Sequence, residues 1–242
     1  MTTIVKFITA LIISFLLMSC QFDSNLGFGV NGNGHVETIE RNISDDFTEI
    51  KVSRGLDVYI TQTDNVSLKV QADENLHDII MTKVENNVLR IYADKNINHA
   101  ASKKIMVSIN RIEKITSASG SDVYSTNTIT AESLELSTSS GSDMELDVET
   151  HVIDCSSSSG SDLRLTGKTD KLYARASSGS GIKAGNLNAK ISDIKASSGA
   201  NITVNTTEEL YARASSGGDI KYYGDPEKVN KKDGVSGSIK KQ

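Results

Sequence analysis

A short glycine-containing phrase recurs along the second half of this 242-residue chain, and its interval limits the possible folds more than any other feature. In its clearest copies the phrase reads SSGSD. Its glycine recurs every 18 to 21 residues, at Gly120, Gly141, Gly160, Gly179, Gly199 and Gly217, with a degenerate copy at Gly237. A period near 20 residues sustained over several copies is typical of a solenoid, in which each repeat forms one coil.

Apolar residues alternate on both sides of each glycine, as they do in strands with one buried face. Five residues before the glycine stand Leu136, Cys155, Ala174, Ile194 and Ala212, and three residues after it stand Val123, Met144, Leu163, Ile182, Ile202 and Ile220. The serine directly before each glycine has the same parity. We therefore expect an inward column of stacked serines at a narrow corner, formed by Ser119, Ser140, Ser159, Ser178, Ser198 and Ser216.

These patterns predict an all-β fold, a right-handed parallel β-helix or β-solenoid with coils of about 20 residues. The absence of Trp and the single Pro in the chain fit regularly stacked strands. The N-terminal half contains runs of strand length without the glycine period, such as LDVYITQ and NVLRIYA, and we expect it to continue the sheets less regularly. One helical turn is expected in ADENLHD, with Asp73 as its cap.

The first residues resemble a bacterial lipoprotein signal. Lys6 precedes an apolar run over residues 7–18, which is too short for a transmembrane helix. Leu17-Met18-Ser19-Cys20 resembles a lipobox, in which Cys20 becomes the lipid-modified N-terminus. We therefore predict a signal peptide over residues 1–19, a lipid anchor with a flexible Gly/Asn linker over residues 20–34, and one solenoid domain over residues 35–242.

Charge and cysteine content limit the environment and the partners. The net charge of −5 and the lack of a basic block argue against nucleic-acid binding. Once Cys20 is lipidated, only Cys155 remains, so no intramolecular disulfide can form. The expected partner is the membrane, through the N-terminal lipid. Gln21 favours the outer membrane, while the face of that membrane and the oligomeric state stay open.

A column of aspartates is the main candidate site. Two residues after the glycine stand Asp122, Asp143, Asp162 and Asp219. Coils stacked about 4.8 Å apart would align the first three as a ladder of carboxylates, which suggests a ligand or cation site. The alternative is that each aspartate caps its own turn. The 20-residue period differs from the nine-residue period of calcium-binding β-helices, so no metal site is assigned.

An enzymatic role has little support in the sequence. Polysaccharide-cleaving β-helices need an acid and a base, or a basic residue beside metal-bound carboxylates. The repeats contain His151, Arg164, Arg175 and Arg213 without a compact constellation, and no catalytic motif or cofactor signature is present. We predict no catalytic residues, no metal and no cofactor. If the chain were nevertheless an enzyme, Asp143 and Asp162 would be its catalytic candidates.

The N-terminal half resembles the DUF2807 family, whose name describes an auto-transporter adhesin with a head GIN domain. The matching positions are Gly32, Gly34, Val36, Arg41, Phe47, Ile50, Val52, Gly55, Val58, Gln62 and Ala72 to Asn75. The resemblance covers about residues 31–241 and implies a β-solenoid in an exported protein, often a lipoprotein. No binding residues are carried over from it.

We therefore expect a non-enzymatic lipoprotein of the cell envelope, an adhesin or ligand-binding module whose partner is a glycan or a surface protein. Two alternatives stay open at this point. One is a polysaccharide-processing β-helix enzyme. The other is a periplasmic structural lipoprotein without an external ligand.

Overall fold

The computed structural model describes residues 29–242, so the predicted signal peptide and Cys20 lie outside the described residues. The first half contains β1 (Val30–Asn31), β2 (Val36–Arg41), β3 (Glu49–Ser53), β4 (Asp57–Gln62), β5 (Ser67–Asp73), β6 (Ile80–Glu85), β7 (Val88–Ala93), β8 (Ile97–His99) and β9 (Lys103–Ile109). The second half contains β10 (Lys114–Ala118), β11 (Asp122–Ser125), β12 (Ile129–Ser139), β13 (Asp143–Ser158), β14 (Asp162–Ala176), β15 (Gly181–Ala196), β16 (Asn201–Ala214), β17 (Asp219–Tyr223), β18 (Lys228–Asp233) and β19 (Ser238–Lys241).

The fold is a β-solenoid of about seven coils, as the glycine period predicts. From β10 to β19 the strands pair in parallel with their counterparts in the next coil. Strands β13 to β15 are each 15 or 16 residues long, because a single strand bends once and supplies both faces of its coil. We call the part after the Ser-Gly corner the first face, the bend the second corner, and the part before the next Ser-Gly corner the second face.

The N-terminal half continues the same sheets in a different order from the chain, as expected of its less regular pattern. The coil of β3 and β4 stacks on β10 and β11, and β7 and β9 stack in parallel on the outer side of that coil. Antiparallel strands then end both faces, with β6 on β7, β5 on β9, and β2 on β5. The solenoid thus ends in antiparallel strands at its N-terminal end.

The apolar columns read from the sequence form the core. Leu136, Cys155 and Ile194 are fully buried, as are Val123 and Leu163 after the corner. The inward parity changes at the second corner: within β13, Val148 and Thr150 are buried on one side of it and Ile153 on the other. A bend between the two faces thus lets one strand keep its apolar side chains inward throughout.

The predicted inward column of serines is wrong. The six serines before the repeat glycines are exposed, and each has a positive φ of 50–56°. The following glycine also has a positive φ, for example 69° at Gly179 after Ser178, and Ser180 N–H donates to the Ser177 carbonyl across the two. Two left-handed residues make a type I′ turn, which breaks the strand alternation and turns the serine outward.

The buried hydroxyls lie instead on either side of this turn. Ser117 and Ser157 precede it by two residues, and Ser121 and Ser161 follow it directly. The Ser157 and Ser161 hydroxyls lie 2.9 Å apart, and the hydroxyl of Ser142 donates to the Ser117 carbonyl of the preceding coil at 2.8 Å. These bonds satisfy polar groups that would otherwise destabilise the core.

The described end of the Gly/Asn segment is bound to the solenoid. Val30 N–H donates to the Asn96 carbonyl and Gly32 N–H to the His99 carbonyl, both at 2.7 Å. A flexible tether reaching to residue 34 does not fit these contacts, because the chain is already paired from Val30 onward.

Asp73 fixes this segment to the sheet. The helical turn expected after it is present as a 3₁₀ turn over Glu74–Leu76, but the Asp73 carboxylate does not cap that turn. It accepts hydrogen bonds from Gly34 N–H at 2.8 Å and Ser102 N–H at 2.9 Å. Burial by itself raises the pKa of Asp73, but the backbone donors, Ser102 and Gly34 among them, outweigh it and lower the pKa below its usual value.

Replacing Asp73 with Asn is expected to lower the free energy of unfolding by about 1–3 kcal/mol at pH 7, because buried backbone donors lose an ionised acceptor. Since the folded pKa is lowered, the carboxylate stabilises the fold above its unfolded pKa, and this stabilisation is lost as pH falls through the folded value. Urea unfolding at neutral and acidic pH measures both effects. Asp64→Asn, at an exposed position, is the control; an equal loss at both pH values would contradict this account.

Candidate ligand-binding surface

The predicted aspartates do align as a column on the first face. Asp143 lies in register between Asp122 and Asp162 on the neighbouring strands. The column then passes through Gly181 and Asn201 before it reaches Asp219, which therefore has no carboxylate directly beside it. Stacked parallel coils repeat about every 4.8 Å, so Asp122, Asp143 and Asp162 form a ladder at that spacing.

Asp57 also belongs to this column, and the sequence analysis missed it. It pairs in register with Asp122 because β4 stacks on β11. A shared sequence pattern could have revealed Asp57: GLDVY from Gly55 has the same G-x-D-V-Y pattern as GSDVY from Gly120. Arg54 and Gly55 both have positive φ, so this coil has the same corner as the glycine repeats.

Neighbouring charges set the electrostatics of the column. Burial, and then the like charges of Asp57 and Asp143, raise the pKa of Asp122 above its usual value. At the two ends of the aspartate column, lysines offset the negative charge. Lys103 Nζ lies 3.7 Å from Asp57 Oδ1, and Lys183 Nζ lies 2.7 Å from Asp162 Oδ2. Within residues 29–242 no three His, Cys, Asp or Glu side chains are grouped to hold a metal ion. A cation site on the ladder stays a prediction.

A polar groove follows the second corner and was not foreseen. It has a volume of about 840 Å³ and crosses five coils parallel to the solenoid axis. One wall is formed by Thr130, Glu149, Lys168 and Asn188, and the other by Glu132, His151, Asp170 and Lys190. At the N-terminal end of the groove, Gln62 Nε2 donates to the Asn110 and Thr130 carbonyls.

The charged groups in the groove alternate in sign from coil to coil and pair with one another. His151 Nδ1 lies 2.6 Å from Asp170 Oδ2, and Lys190 Nζ lies 2.7 Å from Asp170 Oδ1. On the other wall Lys168 Nζ lies 2.9 Å from Glu149 Oε1. The Asp170 hydrogen bond raises the pKa of His151, and the bonds from His151 and Lys190 lower the pKa of Asp170 to about 2.

The floor of the groove consists of small side chains. Thr150 and Thr169 lie between the walls and are almost buried, with their hydroxyls 3.0 Å apart. Small residues on the floor leave the space between the walls open. The groove therefore offers a regular series of hydroxyl, amide, carboxylate and ammonium groups, repeated at the coil spacing of about 4.8 Å.

The other groups that the sequence analysis considered for chemistry lie apart from this groove. Arg175 lies on the second face and pairs with Asp154 at 2.7 Å, and Lys195 stands between it and Arg213 in the same column. Cys155 is fully buried, and burial raises the pKa of its thiol, so it is unreactive packing. Arg164 lies on the first face and pairs with Glu145 at 3.2 Å.

The fold and surface define the class of protein: an elongated β-solenoid whose outward side chains form columns and whose bend holds an open polar groove. The chain belongs to the DUF2807 family, described as "Putative auto-transporter adhesin, head GIN domain", whose sequence model matches residues 46–226. A comparison with curated proteins finds no match. In residues 29–242 there is no helix with the length and apolarity needed to cross a bilayer.

Several solved structures share this fold. A protein of Bacteroides fragilis described as a putative adhesin superposes with a TM-score of 0.82 at 23% identity, covering 88% of this chain and 100% of that one. A protein of Parabacteroides distasonis described as a putative lipid binding protein has a TM-score of 0.70 at 23% identity, with 88% and 99% covered. A putative adhesin of Parabacteroides merdae has a TM-score of 0.71 at 20% identity, with 88% and 98% covered. At these identities the likeness shows the fold.

Replacing Asp122 with Asn is expected to raise the free energy of unfolding at pH 7 by about 0.2–1 kcal/mol, because like charges on neighbouring strands repel. The raised folded pKa means that the penalty is present above that pKa and disappears as pH falls below the unfolded one. Thermal unfolding from neutral to acidic pH measures it. Asp219→Asn, with Asn201 and Ser238 as neighbours, should change little; equal effects of the two variants would argue against repulsion.

Proposed function

We propose that this protein is a non-enzymatic, lipid-anchored binding module of the cell envelope that holds a glycan chain in the groove along its second corner. The observation that carries the proposal is the groove itself, which is open, is lined by polar and charged residues, and runs across five coils. The family description as an adhesin supports a role in binding at the envelope.

A linear polymer fits the shape of this groove better than a compact ligand. Five coils at about 4.8 Å give a length of roughly 20 Å, with polar side chains at every coil. Threonine hydroxyls and the amide of Asn188 can exchange hydrogen bonds with sugar hydroxyls. A glycan offers a matching series of hydroxyls along its length, whereas a folded protein surface would have to enter a narrow channel.

The charges of the groove support binding over catalysis. A general acid must carry a proton at working pH, and a pKa of about 2 leaves Asp170 ionised. Glu149 is paired with Lys168, and His151 is held against Asp170. These pairs make the groove nearly neutral, which suits a ligand bound through hydroxyl groups.

The lipid anchor is part of the proposal. Cys20 of the lipobox would carry the lipid, and the chain enters the described solenoid at Val30, where β1 pairs with β8 near the N-terminal end. An anchor at that end leaves the groove and the C-terminal coils free to project from the membrane. We propose the outer membrane as the site, with the solenoid on the cell surface.

A groove-filling variant tests the binding. Thr130→Arg adds a long charged side chain to an exposed position on the groove wall, and we expect it to weaken glycan binding about tenfold or more, a loss of about 1.4 kcal/mol. Thr38→Arg, on the exposed β2 strand, should bind as the wild type does. The measurement is a glycan array followed by calorimetry on its hits. An array without any hit would refute the proposal, as would product release from a bound polysaccharide.

Protease shaving of intact cells tests the location. We expect the solenoid to be clipped while a periplasmic marker survives, and Cys20→Ala to release the protein from the membrane fraction, because the lipid is its only proposed attachment. Protection until the outer membrane is broken would rule out adhesion to other cells. Retention of Cys20→Ala in the membrane fraction would refute the anchor.

A further inference from the structure

The strand ladder is interrupted at one point of the first face. Between β15 and β16 the pairing passes from Ala184 opposite Val204 directly to Asn188 opposite Asn205, so three residues of β15, 185–187, have no partner. On the other side, β15 has one more residue than β14 over the same stretch. Strand β15 therefore bulges where β16 is shortened, and bulges of this kind are often found beside binding sites.

This irregularity opens a notch of about 470 Å³ in the first face. Tyr223, on strand β17 next to β16, lies across the notch. A Cβ at Gly185 would stand 3.5 Å from Cε2 of the tyrosine ring. A larger side chain at position 185 would fill the notch. Tyr223 keeps 44% of its surface exposed, so it forms a wall of the notch rather than part of the core.

The polar lining of the notch is cationic. Arg164 and Lys183 line it together with Asn186, Thr203 and Asn205, and none of its eight lining residues is acidic. The two cations do pair with acids outside the lining, through contacts in which every side chain is about half exposed. Such exposed pairs are weak, so an anionic ligand can compete for the cations.

The notch adjoins the second-corner groove. Asn205, which lines the notch, donates from Nδ2 to Oδ1 of Asn188, which lines the groove, at 2.8 Å. A chain lying in the groove could therefore place a unit in the notch by passing this pair of amides.

We infer that the notch is a subsite for an anionic sugar residue, carboxylated or sulfated, of a glycan held by the groove. Different side chains of the notch would recognise different parts of such a sugar. The Tyr223 ring can pack against the apolar C–H face of a pyranose, Lys183 and Arg164 can bind the anionic group, and the amides can bind ring hydroxyls. The inference rests on the proposed function and adds the chemical class of the ligand.

Calorimetry with three polymers tests it: dextran, dextran sulfate and polygalacturonate. Dextran and its sulfate differ only in the anionic group, and polygalacturonate presents a carboxylate instead. We expect the wild type to bind at least one of the two anionic polymers about tenfold more tightly than dextran. The stronger of the two identifies the anionic group.

Two variants separate the subsite from general charge attraction. Tyr223→Ala and Lys183→Gln should each lose most of that preference. Tyr173→Ala and Lys195→Gln are matched controls on the second face and should retain it; Tyr173 is 37% exposed, close to Tyr223. Non-specific binding of a polyanion to the lysines of the C-terminal strands would not change with Tyr223→Ala, so this variant distinguishes it from binding in the notch.

The outcomes distinguish the two proposals. Equal binding of dextran and both anionic polymers, or an anionic preference that survives Tyr223→Ala, overturns the notch inference. If Thr130→Arg still weakens dextran binding in that case, the groove proposal stands alone. If the wild type binds none of the three polymers, the notch inference falls, and the glycan array then decides the groove proposal separately.

Discussion

The axial hydrogen-bond ladder between parallel coils is the constraint on which the rest of the structure depends. Each coil must present its backbone groups in register with the next, because buried unpaired N–H and C=O groups are costly. At the corner the same ladder continues: the Gly160 N–H donates to the carbonyl of Ser178 in the next coil, and the Gly179 N–H to that of Ser198. Two left-handed residues per coil let the chain turn without leaving this ladder. Because every coil must stay in register with this ladder, the repeat length is nearly constant.

Registered stacking also places like positions of successive coils side by side, about 4.8 Å apart. Surface charge must be arranged within these columns. At the second corner opposite charges alternate, as in His151, Asp170 and Lys190, and they pair closely. In the aspartate column, by contrast, like charges meet: Asp122 has a carboxylate on each side, and its burial and these like charges raise its pKa above the usual value. Where the register breaks, at β15 and β16, the surface opens into a notch instead.

A solenoid exposes unpaired strands at both ends, and the two ends of this one differ. Arg41, at the end of β2, donates to the His77 and Ile80 carbonyls and so closes the N-terminal end over the core. At the C-terminal end β18 and β19 carry Lys231, Lys232 and Lys240, charges that oppose edge-to-edge pairing. The N-terminal end also receives the chain that leads from the proposed anchor, whereas the proposed binding surface lies along the sides of the solenoid.

The sequence by itself determined the solenoid, the coil length, the apolar columns and the alignment of Asp122, Asp143 and Asp162, because each follows from period and parity within one chain segment. It misplaced Ser159 and its equivalents, since parity assumes an extended backbone and fails where φ is positive. Only the tertiary structure decided that β3 and β4 stack on β10 and β11, which brings Asp57 beside Asp122. The groove and the notch likewise depend on contacts between coils. The groove forms where residues about 19 positions apart stack at the bend, and the notch forms at a bulge. These contacts leave no local pattern in the sequence.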